Sequence, residues 1–351
     1  MTATCEAEAE ELRCEAQRVL DSTIHGTSRN KMGQVATPTD LAIQMAELAK
    51  TYFPPNVLIR FLDPALGTGV FFYAAKTIFG NRVATAHGYE IDKSIADVAQ
   101  QIWGTFGLAV HTADFCATTA PDEDNDKPNL LICNPPYVRH HHLSGERKAL
   151  LKTQLASGGY CLNGLAGLYC YFLLIADRWL SKKAISIWIV PAEFLDVNYG
   201  RWLKQYLTHD VTLLRLHRFE PDDLQFHDAL VSSVILSFRT DKPAADHEVV
   251  FSGGGTLLKP KFRKSFNINS LVPTEKWGPL FDVGRSQIDS VSAEKPSSHF
   301  TVGDLFSVKR GIATGANDFF ILPRERAAEL RLPSRYLRPI LPGPRNVTNS
   351  D

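Results

Sequence analysis

The 351-residue chain lacks any uninterrupted apolar run of membrane-spanning length, which argues against a transmembrane helix. Its start alternates Glu and Ala and has neither the basic opening nor the apolar centre of a secretory signal, so a cytoplasmic protein is expected. CxxC pairs and Cys/His ligand spacings are missing too. The six cysteines (Cys5, Cys14, Cys116, Cys133, Cys161 and Cys170) lie far apart and read as reduced thiols, several of them buried; no metal site is expected. The formal net charge is zero, which excludes little, because basic residues confined to one cleft vanish from the global sum. There is no internal repeat and no low-complexity tract. What remains is an ordinary globular composition, 44% hydrophobic and 22% charged, in a chain long enough for one substantial domain and a small or partial second.

The pattern along the chain is one of alternation. An exposed Glu/Ala-rich helix is expected up to about Leu20, a polar loop over Ser22–Gln34, and a helix over Thr39–Tyr52 with Pro38 in its first turn. Strands are expected at Val57–Leu62, Val83–Tyr89, Ala109–Thr112, Leu130–Cys133, Ala184–Val190, Val211–Leu216 and Val231–Phe238. Helices fill Gly69–Phe79, Ser94–Phe106, Tyr169–Leu180 and Tyr199–Leu207 between them. Such alternation implies a mainly parallel sheet covered on both faces. The last two strands lack a helix-length connection and are expected to pair as an antiparallel hairpin at one edge. A Pro-, Gly- and Lys-rich stretch, Asp241–Pro260, reads as a domain boundary.

FLDPALGTGVFF (Phe61–Phe72) follows the first strand and opens the next helix. Gly67 and Gly69 let the backbone turn tightly and approach a ligand at the carboxyl end of a parallel strand. The spacing is not GxGxxG, which disfavours a dinucleotide, and Asp63 suits a cationic or amine-bearing ligand better than a pyrophosphate. At the second strand end, GYEID places Glu90 to accept from vicinal ribose hydroxyls, while Asp92 is better placed as a helix cap. After the third strand, Asp114 can accept from an adenine amino group and Phe115 can pack on the ring. Taken alone, Asp114 reads more often as a turn residue.

The fourth strand runs into Asn134-Pro135-Pro136-Tyr137. Two prolines fix φ and remove N–H donors, so the loop is rigid with outward carbonyls. The Asn134 amide oxygen and the Pro135 carbonyl can together accept both hydrogens of an –NH2 group. That frees its lone pair to attack a methyl sulfonium, with no strong base required beforehand. Tyr137 offers a flat face to a base swung out of a helix. The bland alternative is a rigid turn. His140, His141 and His142 follow, and consecutive residues cannot all face one metal, so solvent or phosphate contact is expected of them.

Together DPALGTG, EID, ADF and NPPY resemble the motifs of the amino-methylating DNA methyltransferases. GQVATPTDLAIQMAEL (Gly33–Leu48) lies ahead of the glycine loop, an order that resembles the gamma class of N6-adenine DNA methyltransferases of type II restriction–modification systems. The resemblance covers Gly33 to Arg239. It implies a class I S-adenosylmethionine-dependent methyltransferase fold, α/β, with a mostly parallel seven-stranded sheet, an antiparallel edge hairpin and a small, truncated C-terminal DNA-recognition domain. The domains are then 1–32 (helix and loop), 33–240 (catalytic) and 241–351 (linker and partial recognition domain). S-adenosylmethionine would be held by Thr37 and Pro38 at its methionine end, and by Asp63, Pro64, Ala65, Gly67, Gly69, Glu90, Ile91, Asp114, Phe115 and Asn134. Catalysis would fall to Asn134, Pro135, Pro136 and Tyr137, with Phe226 stacking on the flipped adenine opposite Tyr137; a core aromatic is the alternative for Phe226. Leu66 departs from the small residue or cysteine usual in the glycine loop.

VKRGIATGANDFFIL (Val308–Leu322) resembles the opening of the family's target recognition domain. Lys309 and Arg310 would sit near phosphates, and Gly311 and Gly315 would permit close backbone approach. The implied partner is double-stranded DNA, with a cognate restriction endonuclease or a further recognition segment beside it. Two rival readings remain: methylation of protein glutamine or RNA, and a partner-dependent subunit of a larger modification complex.

Overall fold

Short strands with alternating inward side chains build one sheet in a computed structural model that describes residues 5–23, 36–156, 162, 166–220, 232–281, 305–307 and 317–340. Two units are described separately, Met1–Asp289 and Ser290–Asp351. Among its described residues the first holds nine strands: β1 (Ile59–Asp63), β2 (Val83–Glu90), β3 (Leu108–Thr112), β4 (Leu130–Cys133), β5 (Ile185–Pro191), β6 (Thr212–Arg218), β7 (Ser233–Arg239), β8 (Glu248–Gly255) and β9 (Pro260–Asn267). Its helices are α1 (Glu6–Thr23), α2 (Thr39–Lys50), α3 (Val70–Phe79), α4 (Lys93–Trp103), α5 (Gly145–Ala156), α6 (Leu168–Asp177) and α7 (Gly200–His209).

The strand order is β3-β2-β1-β4-β5-β7-β6-β8-β9. Strands β1 to β5 pair in parallel, whereas β7 runs antiparallel between β5 and β6. From β1 the chain steps outward to β2 and β3, then returns to lay β4 on the other side. That reversal is a switch point at the carboxyl ends of β1 and β4, the place where open α/β sheets form a ligand-binding crevice. Strand periodicity sends alternate side chains to two cores. Phe61, Leu130, Ile132, Ile187 and Ile189 meet α2, α3 and α4 on one face. Leu62, Leu131, Trp188, Val190 and Leu236 meet α6 and α7 on the other.

Three expectations need correction. The sheet has nine strands rather than seven, because β8 and β9 come from sequence read as linker and its continuation. Val249 and Phe251 in β8 are fully buried, and the Phe251 ring lies 5.0 Å from both Phe266 and Phe281. The glycines that end β8 masked this strand in composition. For the same reason the β6–β7 pair is not an edge hairpin: β8 continues the sheet beyond β6, in parallel. Finally, α1 is not an exposed helix; Ala9, Glu10 and Arg13 are buried.

In the second unit, residues 317–340 form α8 (Asn317–Phe320), α9 (Arg324–Glu329) and short turns, with Phe319, Phe320 and Tyr336 exposed. Among the described residues no helix is long and apolar enough to cross a membrane.

Candidate active site

The glycine loop is built by close packing. Gly69 sits at φ +91°, and a Cβ there would lie 2.7 Å from the Trp103 ring, so only glycine fits. Trp103 Nε1 donates to the Thr68 carbonyl at 2.9 Å, and the Leu66 amide donates to the Tyr89 carbonyl at 2.8 Å. Leu66, the departure from the usual small residue, is accommodated by its neighbour strand. It is buried, and its methyls lie 2.7 Å from where a Cβ on Gly88 would be, a contact only glycine allows.

Asp63 ends β1 completely buried. Its Oδ1 accepts from the Ala65 amide at 3.1 Å, the Cys133 thiol lies against the carboxylate, and Oδ2 has no well-aligned hydrogen bond among the described residues. Burial, reinforced by the Glu90 charge, pushes its pKa up to about 7. Pro64 is buried beside it, and Ala65 and Gly67 are half-buried. At the end of β2, Glu90 accepts from the Gly67 amide at 3.0 Å through Oε2 and from the Asp92 amide at 2.9 Å through Oε1. Burial raises its pKa. Each carboxylate oxygen has a second lone pair, so a diol can still be bound while Glu90 braces the loop. Ile91, next to it, is 67% exposed, an apolar surface with nothing packed over most of it. Asp92 caps α4, accepting from the Ser94 amide at 2.8 Å as expected of it.

The third strand end differs from expectation. Asp114 accepts from the Cys116 amide at 3.1 Å and is gripped through both oxygens by Arg147 of α5. Phe115 is 1% exposed, its ring 5.0 Å from Trp179, 5.4 Å from Tyr89 and 5.9 Å from Phe172. This ring is enclosed by other aromatics in the core.

Asn134 follows β4, adjacent to the β1 end. Its Nδ2 donates to Thr37 Oγ1 at 3.1 Å, a bond that joins the segment before α2 to the tetrapeptide across 97 positions of sequence. Thr37 is buried and Pro38 caps α2. Pro135 is buried and Pro136 half-buried. Tyr137 packs its ring against the α2–α3–α4 core, and burial raises the pKa of its hydroxyl, which faces Ser233. The Leu168 amide donates to the Val138 carbonyl at 2.9 Å and anchors the exit of the loop. His140 and His142 belong to a 3-10 turn, and no cluster of three metal-ligating side chains occurs among the described residues. Phe226, Lys309, Arg310, Gly311 and Gly315 lie outside the described residues.

Thus Asp63, Glu90 and Asn134 stand at the ends of β1, β2 and β4, and Thr37, ahead of α2, is bonded to Asn134. A protein from Listeria monocytogenes classed as a class I S-adenosylmethionine-dependent methyltransferase superposes with a TM-score of 0.58 at 17% identity, covering 72% of this chain and 75% of that one. The fold is that of class I S-adenosylmethionine-dependent methyltransferases. Residues 77–225 match the model of the Eco57I restriction-modification methylase family. Among curated proteins, type II methyltransferase M.AccI of Acinetobacter calcoaceticus is 27% identical over 93% of this chain and 59% of its own length. Type II methyltransferase M.XamI of Xanthomonas campestris pv. amaranthicola is 29% identical over 83% and 53%. The chain therefore spans little more than half the length of these two relatives.

Sequence reasoning missed the contribution of α1 and of Arg147. Glu10 and Arg13 stand in a run of glutamates, where i,i+3 charge pairs read as solvated surface. Only tertiary packing reveals that this pair is buried.

Proposed function

We propose that this protein transfers the methyl group of S-adenosylmethionine to the exocyclic N6 amino group of adenine in duplex DNA, as the modification activity of a restriction–modification system in the cytoplasm. The observation that carries the reading is the rigid Asn-Pro-Pro-Tyr loop at the β4 end, at the switch point of the sheet, with its asparagine side chain tied to Thr37. The names of M.AccI and M.XamI, both type II methyltransferases, support it.

The residues present fit the cofactor. A buried carboxylate oxygen without a well-aligned hydrogen bond at the glycine loop suits a cationic amine, Glu90 suits a diol, and Ile91 offers an apolar surface beside it. When bound, S-adenosylmethionine supplies an electrophilic methyl group. The chain's own residues do the rest. Asp63 accepts from the amine, Glu90 accepts from the ribose hydroxyls, and Thr37 orients the Asn134 amide. The Asn134 oxygen and the Pro135 carbonyl accept the two hydrogens of the substrate amine, which directs its lone pair outward. Tyr137 and Phe226 stack on the flipped base, and Pro136 keeps the loop from yielding. Lys309, Arg310, Gly311 and Gly315 engage the DNA backbone, in a recognition region that the second unit contributes to.

The test incubates the protein with S-adenosylmethionine and mixed-sequence duplex DNA, then digests the DNA to nucleosides for mass spectrometry. N6-methyladenine is the expected product. N4-methylcytosine would move the acceptor atom, and methylation of RNA or protein in place of DNA would overturn the substrate assignment.

A further inference from the structure

α1 is anchored by charge rather than by an apolar stripe. Its buried residues are Ala9, Glu10 and Arg13. Arg13 binds Glu10 through two bonds, Nε to Oε2 at 2.6 Å and Nη2 to Oε1 at 2.7 Å, and the two side chains are 5% and 10% exposed. The pair then reaches two separate segments. Arg13 Nη1 donates to Thr68 Oγ1 in the glycine loop at 3.2 Å, and Nη2 donates to Thr39 Oγ1 at the start of α2 at 3.0 Å. Thr39 Oγ1 in turn donates to Glu10 at 2.7 Å, and Thr68 Oγ1 donates to Gln17 at 2.9 Å. Thr68 lies between Gly67 and Gly69. Thr39 lies two residues beyond Thr37, whose hydroxyl holds Asn134.

We propose that α1 is a structural wall of the cofactor site and that Arg13 is a positioning residue, holding the glycine loop and the Thr37–Thr39 segment in fixed register. The inference rests on the cofactor reading given above. A helix that needed only to dock would do so at least as well through apolar side chains, since desolvating an ion pair costs most of what its attraction returns. A buried pair whose outward bonds run to two different ligand-site segments sets register instead. By linkage, cofactor binding must stabilise the docked helix as much as docking favours the cofactor.

Cys14 reports on this. Its thiol lies 3.4 Å from Glu10 Oε1 and 3.2 Å from Arg13 Nη2, both on α1, and the burial that raises its pKa is what a docked helix preserves. Cys5 is exposed and serves as the internal reference. The experiment measures S-adenosylmethionine affinity by titration calorimetry, together with iodoacetamide labelling of Cys14 and Cys5 resolved by peptide mass spectrometry. It uses the full chain, the Arg13→Met variant and the Glu10→Met/Arg13→Met double variant. The double variant is included because replacing both charges by apolar groups leaves no buried charge unpaired, and its melting midpoint checks folding. The expected result is that cofactor slows labelling of Cys14 several-fold and leaves Cys5 unchanged. The folded double variant binds about tenfold more weakly and loses the protection. If the parent binds cofactor but Cys14 is unprotected, and the double variant binds as the parent does, the proposal is overturned while the cofactor reading stands. A parent chain that binds no S-adenosylmethionine would sink both.

Discussion

In the half of the sheet formed by β3, β2, β1, β4 and β5, two buried carboxylates, Asp63 and Glu90, stand at strand ends. They brace the backbone around them, and Asp63 keeps one oxygen without a well-aligned hydrogen bond among the described residues. In the half formed by β7, β6, β8 and β9, Arg215, His217 and Ser252 are buried within the strands and meet one another. Arg215, 7% exposed, donates to Ser252 Oγ at 3.0 Å and to the Leu257 carbonyl at 2.7 Å, and His217 Nδ1 meets the same hydroxyl at 3.0 Å. Both halves desolvate polar groups. Among the described residues the first places a buried carboxylate oxygen without a well-aligned hydrogen bond at a strand end, where open α/β sheets bind ligands.

The comparison is most strongly tested at Gly69. Gly69→Ala forces a side chain onto a φ of +91° and into the Trp103 ring, a combination expected to cost about 2–4 kcal/mol and to abolish S-adenosylmethionine binding. Arg215→Leu is the counterpart in the other half. It leaves Ser252 and the Leu257 carbonyl short of a donor and should lower stability by about 1–3 kcal/mol in denaturant titration, with cofactor affinity unchanged. A cofactor defect in Arg215→Leu would erase the distinction between the halves.

Asp63 gives a pH signature. Its pKa of about 7 in the folded chain means that the carboxylate needed to bind a cation forms only as pH rises through that value. S-adenosylmethionine affinity should therefore climb between about pH 6 and pH 8, and should be weaker and flat in Asp63→Asn. Stability runs the opposite way. The folded state holds the Asp63 proton after the unfolded chain has lost it, so stability from this group falls as pH rises from the ordinary carboxylate range to about 7, and Asp63→Asn should melt above the parent at pH 8. The smallest effect is expected at the His87–His111 pair, whose rings meet at 3.1 Å and whose pKa values are lowered from 6.5, mainly by burial. The unfolded chain takes up protons first, so stability from this pair is complete above pH 6.5 and declines below it. His111→Gln should make that decline shallower in melts taken between pH 7 and pH 5.

Most of the β1 to β5 half is legible in the residues, because period-2 apolar runs, glycine punctuation and strand-end acids are local signals. Asp63, Glu90, Asp92 and the Asn134 loop all stand where those signals put them. Phe115 lies in the aromatic core, and a hydrophobic aromatic after a strand end looks the same in sequence whether it faces a ligand or the core. β8 was hidden by its glycines, and α1 by the resemblance of a buried Glu–Arg pair to a solvated one. Each of these depends on what packs against the residue from far along the chain, as the bond between Asn134 and Thr37 also does. Leu66 shows the reverse. An unusual residue in a motif becomes ordinary once Gly88 is seen beneath it.

The central claim is that Asn134 acts on the substrate amine and not chiefly on cofactor binding. The direct measurement compares Asn134→Ala with the parent in two assays, S-adenosylmethionine titration and methyl transfer to duplex DNA at saturating cofactor. The account predicts near-parental affinity with turnover reduced by about a hundredfold or more. Equal losses of affinity and turnover would contradict it, and would make the loop a wall of the cofactor site alone.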